Sequence, residues 1–566
     1  MDRSIFFSIQ KPFTYLGNEI NSTHKEFSKQ KVKIALGYPD IYEIGMSNLG
    51  IRILYGLINN IGDVVCERFF SPLPDMAEVM RQKDIPLFTL ESREPLMNFD
   101  IIGFSVSSEL NYTNILEILS LSKIPIFSSE RNNQHPLIIA GGDGSFSPES
   151  LSEFIDVWII GEGEEIMPEV IDLYKNLKGF PRYKILEGIS TIKGIYIPSF
   201  YKEDKNSRIF PVSEKFPTVI ERRTVKDFEN SFFPVKWITP VSEITHDRIS
   251  LEIMRGCPNN CFFCQGGFCW KPVRKRSVGR IIDLAQQTYK NTGYEEISLL
   301  SFSSGDHPDI EKIIENLLEL FPKEKVAISF PSLRIDSFSF SLANKFSNIK
   351  RTGLTFAPET GEKLRKFIGK AIDDEKLISL ACDAKKNHWR QIKLYFILGL
   401  PGETEQTIEE IVILIEKLSK IISIKASFSI FIPKPHTPFQ WEKFPIREDI
   451  FSKRKYLLDK FSKNRYVKLN FHSYDMSLIE TILSRGNRSL GNAIKYVWEN
   501  GGKMENWKEF FVFERWEDAF EKTPFDKEIC LGPVSPDKNL PWQHIKSYFS
   551  KDYLWEKRNS FYSNLM

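Results

Sequence analysis

The sequence lacks any apolar run of the length, about 20 residues, that a bilayer-spanning helix needs. Its N-terminus, Met1-Asp2-Arg3-Ser4-Ile5-Phe6-Phe7, is too short and broken for the apolar core of a secretory signal, so the expected location is cytoplasmic. It also lacks an excess of either charge. The 76 Lys and Arg residues face 74 Asp and Glu, a net charge of +2. That balance gives no electrostatic argument for nucleic acid or a membrane surface as a partner. No internal repeat is apparent, which sets aside solenoids and propellers. The seven cysteines are odd in number and four of them crowd between positions 257 and 269, a poor basis for a disulfide framework. With 42% hydrophobic and 27% charged residues, disordered and fibrous classes are excluded as well.

What is present is an α/β rhythm in two stretches. A chain of 566 residues suggests about three domains. Residues 1–30 read as a polar, irregular tail. Residues 31–178 carry nearly continuous apolar runs, Val32–Leu36, Ile101–Val106, Pro136–Ala140 and Val157–Ile160, with a helical pattern from Leu49 to Ile58. Such runs separated by helices predict buried parallel strands in a flavodoxin-like, doubly wound domain. Residues 179–245 read as a connector of short extended segments. Residues 246–470 resume the rhythm, with predicted strands at Ser250–Met254, Ile297–Leu300, Val326–Phe330, Leu354–Phe356, Ile392–Phe396 and Phe428–Ile432. A helix from Val278 to Tyr289 is predicted to stop at Gly293. Six βα units suggest a partial (β/α)6 barrel, with its chemistry at the C-terminal strand ends. Residues 471–566 read as a small, mostly helical extension with an aromatic core of its own around Trp498, Trp507, Trp516 and Trp542.

The informative stretch is Arg255-Gly256-Cys257-Pro258-Asn259-Asn260-Cys261-Phe262-Phe263-Cys264. Its C-x3-C-x2-C spacing follows the first strand of the second α/β region. Thiolates suit zinc or iron–sulfur clusters. A closed zinc tetrahedron needs a fourth ligand, for which Cys269 is the nearest candidate. A four-iron cluster on three thiolates instead leaves one iron open. The spacing resembles the signature of the radical S-adenosylmethionine (SAM) superfamily.

That resemblance implies a [4Fe-4S] cluster on Cys257, Cys261 and Cys264, with SAM on the open iron. It further implies reductive cleavage of SAM to a 5′-deoxyadenosyl radical, with electrons from an external low-potential donor of the flavodoxin or ferredoxin type. The SAM-binding candidates are Ser304, Gly305 and Asp306 after the second strand, Glu359 after the fourth and Gly399 after the fifth. The loop at Ser304–Asp306 departs from the family's Gly-Gly-Glu-like pattern. His436, in the proline-rich exit of the sixth strand, is a candidate proton donor with a structural alternative.

The first domain resembles cobalamin-binding domains. These carry D-x-H-x-x-G after their first strand, where this chain has Asp40-Ile41-Tyr42-Glu43-Ile44-Gly45. Ser105-Val106-Ser107 takes the place of S-x-L, and Gly141-Gly142 that of the glycines along the nucleotide tail. The resemblance implies cobalamin candidates Asp40, Tyr42, Gly45, Ser105, Gly141 and Gly142. Tyr42 replaces the cobalt-ligating histidine, and a phenol with a pKa of about 10 is a poor ligand. With Pro331-Ser332-Leu333-Arg334 and Ser484-Arg485-Gly486, the order of parts is similar to one poorly characterised radical SAM family. The expected activity is radical SAM chemistry, with cobalamin-dependent methyl transfer, a cobalamin-free enzyme whose first domain recognises substrate, and a non-catalytic zinc protein as the readings to separate.

Overall fold

The computed structural model describes residues 3–321, 326–329, 354–370 and 372–565. In the first domain the apolar runs form a parallel sheet of Val32–Tyr38 (β1), Val64–Phe70 (β2), Ile101–Ser105 (β3), Leu137–Gly141 (β4) and Val157–Ile159 (β5), ordered β2-β1-β3-β4-β5. This is the flavodoxin-like order, which puts a crevice at the carboxyl ends of β1 and β3. The sequence reading missed β2, because Glu67 and Arg68 interrupt its apolar run. All seven of its residues are nevertheless buried.

Tertiary pairing is what makes burial of Arg68 tolerable. Its guanidinium meets Glu19 at 2.8 Å and Glu91 at 2.7 Å, and all three side chains are 1% exposed. Burial alone would raise the Glu19 carboxyl, but Arg68 takes it below its ordinary value. Glu19 belongs to the N-terminal thirty residues, so the expectation of an irregular tail is corrected. Three 3-10 turns fold it onto the first domain, with Ile5 and Glu19 buried. The segment after residue 178 also differs from extended connector. It opens with a helix, Arg182–Ile189, and adds Ile195–Tyr196 (β6) antiparallel to β5.

Among its described residues the second α/β region forms two parallel sheets. Ile249–Glu252 (β7), Glu296–Leu300 (β8) and Ala327–Ser329 (β9) make one; Leu354–Glu359 (β10), Gln391–Leu398 (β11), Ser423–Ile430 (β12) and Val467–Phe471 (β13) make the other. The sixth predicted strand lies earlier than expected, and Phe431 and Ile432 fall past its end. The sequence reading did not find β13, in which Lys468 and Asn470 alternate with apolar residues. Phe330 and the Pro331–Arg334 stretch lie outside the described residues. The helix after the cysteine loop runs Val278–Thr292, capped by the Ser277 hydroxyl and ended by Gly293 at φ 67°.

The four tryptophans of the C-terminal region do not share one core. Trp516 sits in the core of the first domain, and Trp542 packs with Phe268 and Trp441 of the second. The Trp498 indole donates to Glu117 and that of Trp507 to Asp40. Among the described residues no helix is long and apolar enough to cross a membrane.

Replacing Arg68 with Ala strands two buried carboxylates. A loss of about 3–5 kcal/mol of unfolding free energy is expected in chemical denaturation. A loss below about 1 kcal/mol would remove Arg68 as the reason β2 can be buried.

Candidate functional site

The cysteine loop leaves β7 through Met254–Arg255, which pairs antiparallel with Arg274–Lys275. Gly256 then turns the chain at φ 86°, where a Cβ would lie 2.5 Å from the Trp270 carbonyl. A Cβ on Gly267 would lie 2.4 Å from the Asn259 carbonyl, and one on Gly369 2.7 Å from that of Asn260. Absent side chains at these positions let backbone close around the loop. Cys257 is buried, and Cys261 and Cys264 are half-buried.

The three thiols share one neighbourhood: Cys261 feels the charges of Cys257 and Cys264, and Cys264 that of Cys257. Burial raises the Cys264 thiol, opposed by the amide N–H groups of Gly266 and Gly267 that donate to it. Burial pushes Cys261 up to about 12, against the pull of Lys370. Ligation requires deprotonated sulfur, and amide donors together with a nearby cation are what stabilise it. The donor set and its backbone cradle therefore fit an iron–sulfur cluster. Among the described residues no three His, Cys, Asp or Glu side chains gather closely enough to hold a single metal ion. Cys269 packs in the apolar core of the first domain, fully buried.

Two of the SAM candidates reach this loop. Asp306 accepts from the Asn259 amide at 2.9 Å, and the same amide points at the Cys257 sulfur. Glu359 stands at the end of β10 in the left-handed region, φ 69°, after a register shift. It pairs with Lys370 and adds its charge to the field at Cys261. Ser304 is fully buried and donates to the Leu299 carbonyl, inside its own turn; Gly305 is buried beside it. Gly399 donates its N–H to Glu403, and a Cβ there would press on Pro445 at 2.5 Å. Sequence reasoning missed Asn259, Lys370 and the Gly266–Gly267 pair. The glycine pair directly after Cys264 was the available signal.

The first domain presents its carboxyl strand ends to this loop. Trp270 donates to Asp143 at 3.0 Å and packs edge-on against Phe146. The His436 Nε2–H donates to the Phe146 carbonyl at 2.8 Å. Burial holds the imidazole down at about 4, so it is neutral and structural in this position. Lys434 ties three regions together, meeting Glu109 at 2.7 Å and Glu480 at 2.8 Å.

The cobalamin candidates divide. Ser105, Gly141 and Gly142 are partly open, and Gly142 holds φ 104° against Val106. Asp40 is fully buried and accepts from the Trp507 indole and the Ile41 amide. The Tyr42 hydroxyl donates to Glu19 at 3.1 Å, and its ring packs on Phe70. A Cβ on Gly45 would overlap that same ring. Tyr42 is thus turned into the domain.

Residues 251–415 match the family profile described as the radical SAM superfamily, and residues 50–198 match that described as radical SAM proteins, N-terminal. An uncharacterized protein of Methanocaldococcus jannaschii is 28% identical over 506 residues, covering 88% of this chain and 98% of that one. A putative methylthiotransferase of the same organism is 23% identical, over 66% of this chain and 72% of that one. Among solved structures, the cobalamin-dependent S-adenosylmethionine radical enzyme OxsB with aqua-cobalamin bound is similar at a TM-score of 0.49. It is 15% identical, over 94% of this chain and 84% of that chain.

The segment that carries Trp507 also buries Glu505, whose carboxyl meets the Trp516 indole at 2.9 Å. Burial raises this group from 4.5 to about 7. The fold then binds a proton that the unfolded chain has released, so stability is full below 4.5 and falls as pH rises through about 7. Glu505→Gln is expected to remove that decline, gaining up to about 3 kcal/mol at a pH of about 8. Parallel stability–pH curves for the two proteins would refute the assignment.

Proposed function

We propose, from the premise that the chain belongs to the radical SAM superfamily, that Cys257, Cys261 and Cys264 hold a [4Fe-4S] cluster whose fourth iron is left for SAM. When bound, the cluster supplies the electron that cleaves SAM to a 5′-deoxyadenosyl radical. The observation that carries this reading is the glycine-cradled cysteine loop with Asp306 and Glu359 brought to it from the ends of β8 and β10, strands of two different sheets.

The chain's own residues have separable tasks in this reading. Asn259, held by Asp306, steadies the sulfur of Cys257. Gly266 and Gly267 offer N–H groups to Cys264. Lys370 balances charge at Cys261 and fixes the Glu359 carboxylate, which in this reading would accept from a ribose hydroxyl or an ammonium of SAM. Phe262 packs against Phe439 and Phe561, which closes the loop's apolar side to water.

A second element of the proposal concerns the first domain. The open face at Ser105, Gly141 and Gly142, linked to the loop through Asp143 and Trp270, supports a corrinoid lying between domain and core. The inward turn of Tyr42 means that this residue would not be the one to hold a corrinoid there. Methyl transfer is the reaction we assign if it binds; if it does not, the alternative is a radical enzyme without cobalamin whose first domain recognises substrate.

Anaerobically reconstituted protein is expected to carry about four irons and as many sulfides per chain. Cys261→Ala should lose most of the iron and all release of 5′-deoxyadenosine from SAM. Bound zinc without sulfide would overturn the reading. Corrinoid absorbance that does not survive gel filtration would remove the cobalamin element alone.

A further inference from the structure

Among the described residues the inward face of the second region carries polar side chains on several strands. Its outward residues, Ile392, Leu394, Phe396 and Leu398 on β11 with Ile424, Ala426, Phe428 and Ile430 on β12, pack on the flanking helices. The alternate residues therefore line the concave side. In register across β11, β12 and β13 stand Lys393, Lys425 and Lys468. The opposite sheet answers with a second row, Ser250, Ser298 and Ser329 across β7, β8 and β9. Closed barrels of parallel strands fill this space with Val, Ile and Leu. Here Tyr395 remains 43% exposed in mid-strand, one step above the lysines.

Three like charges directly opposite one another on adjacent strands are destabilising. None of the three lysines has an ion pair with a described residue, and the carboxylates of the other wall are already taken. Glu252 is held by Arg255 and Glu296 by Arg248. The Ser329 hydroxyl is 4% exposed and has no partner among the described residues. Charge without counter-charge among the described residues, together with an unused donor, points to an anion that is brought in.

We propose that this concave face binds a phosphate-bearing substrate, with its phosphates on the Lys393–Lys425–Lys468 row and its reacting end toward the cysteine loop. The inference rests on the radical reading for the second half of that sentence and on the lysine row for the first. The end of β11, Leu398, lies five steps beyond Lys393, about 16 Å at the usual strand rise. The substrate therefore spans more than a phosphate group, and Tyr395 offers a ring on which a planar portion can stack. Free nucleotides and single-stranded RNA share this chemistry, and β13 is an edge strand, so the row opens to the outside at Lys468.

The test is binding to the full-length, anaerobically purified chain. Its probes are pyrophosphate, ADP and a fluorescein-labelled RNA hexamer, each at about 50 and about 200 mM salt. Lys425→Gln is expected to weaken binding about tenfold and to lower the salt slope by about 1. Lys455→Gln, on the outer helix Arg447–Phe461, should change neither. ADP binding without RNA binding assigns a free nucleotide; RNA binding much tighter than ADP assigns the polymer. Without ligand, Lys425→Gln should raise the thermal midpoint, and saturating pyrophosphate should reverse that order. Wild-type protein that ignores all three probes, or a Lys425→Gln variant that binds like wild type, overturns the inference. Iron and sulfide measured on the same samples keep the two readings apart: a loaded cluster without phosphate binding sinks only this one.

Discussion

The whole arrangement depends on backbone packing backbone around the cysteine loop. Gly256, Gly267 and Gly369 each stand where a single Cβ would collide with a carbonyl oxygen. Their bareness lets the segment after β7, the turn after the helix Glu362–Phe367 and the helix Gln265–Cys269 approach closely enough to surround three sulfurs. Everything else in the site is attached to that enclosure. Lys370 follows Gly369, Trp270 follows Cys269, and Asn259 is gripped between Asp306 and the sulfur of Cys257.

Much of this was legible in the sequence, for a physical reason. Ligand identity and spacing are local, so the cysteine loop could be read from ten consecutive residues. The flavodoxin-like sheet was legible where strands are continuous apolar runs, as in β1, β3 and β4. It was illegible at β2, where burial of Arg68 depends on carboxylates from Glu19 and Glu91 that no local pattern announces. The fate of Tyr42 was hidden for the same reason, since its direction is set by Glu19 and Phe70.

The lysine row shows a further limit. The alternation in β11 and β12 is visible in the sequence, and it marks both as half-buried strands. Register is not visible there, because it is fixed by packing of the opposite, apolar face. Only when the strands are aligned do three separate lysines become neighbours. The aromatic tail differs in kind: its tryptophans were read as one cluster because they are close in sequence, yet their partners are Glu117, Asp40, Gln440 and the first-domain core.

The helix Lys551–Leu565 lays Phe561 on Phe262 and Phe439, and its Leu565 lies against Gly402. The cysteines are thus synthesised well before the helix that supplies part of their apolar cover. Until that helix docks, Phe262 lacks the ring of Phe561 on its surface. On the reading proposed for the loop, a cluster would be delivered most easily in that interval, so that maturation would depend on timing along the chain as much as on affinity.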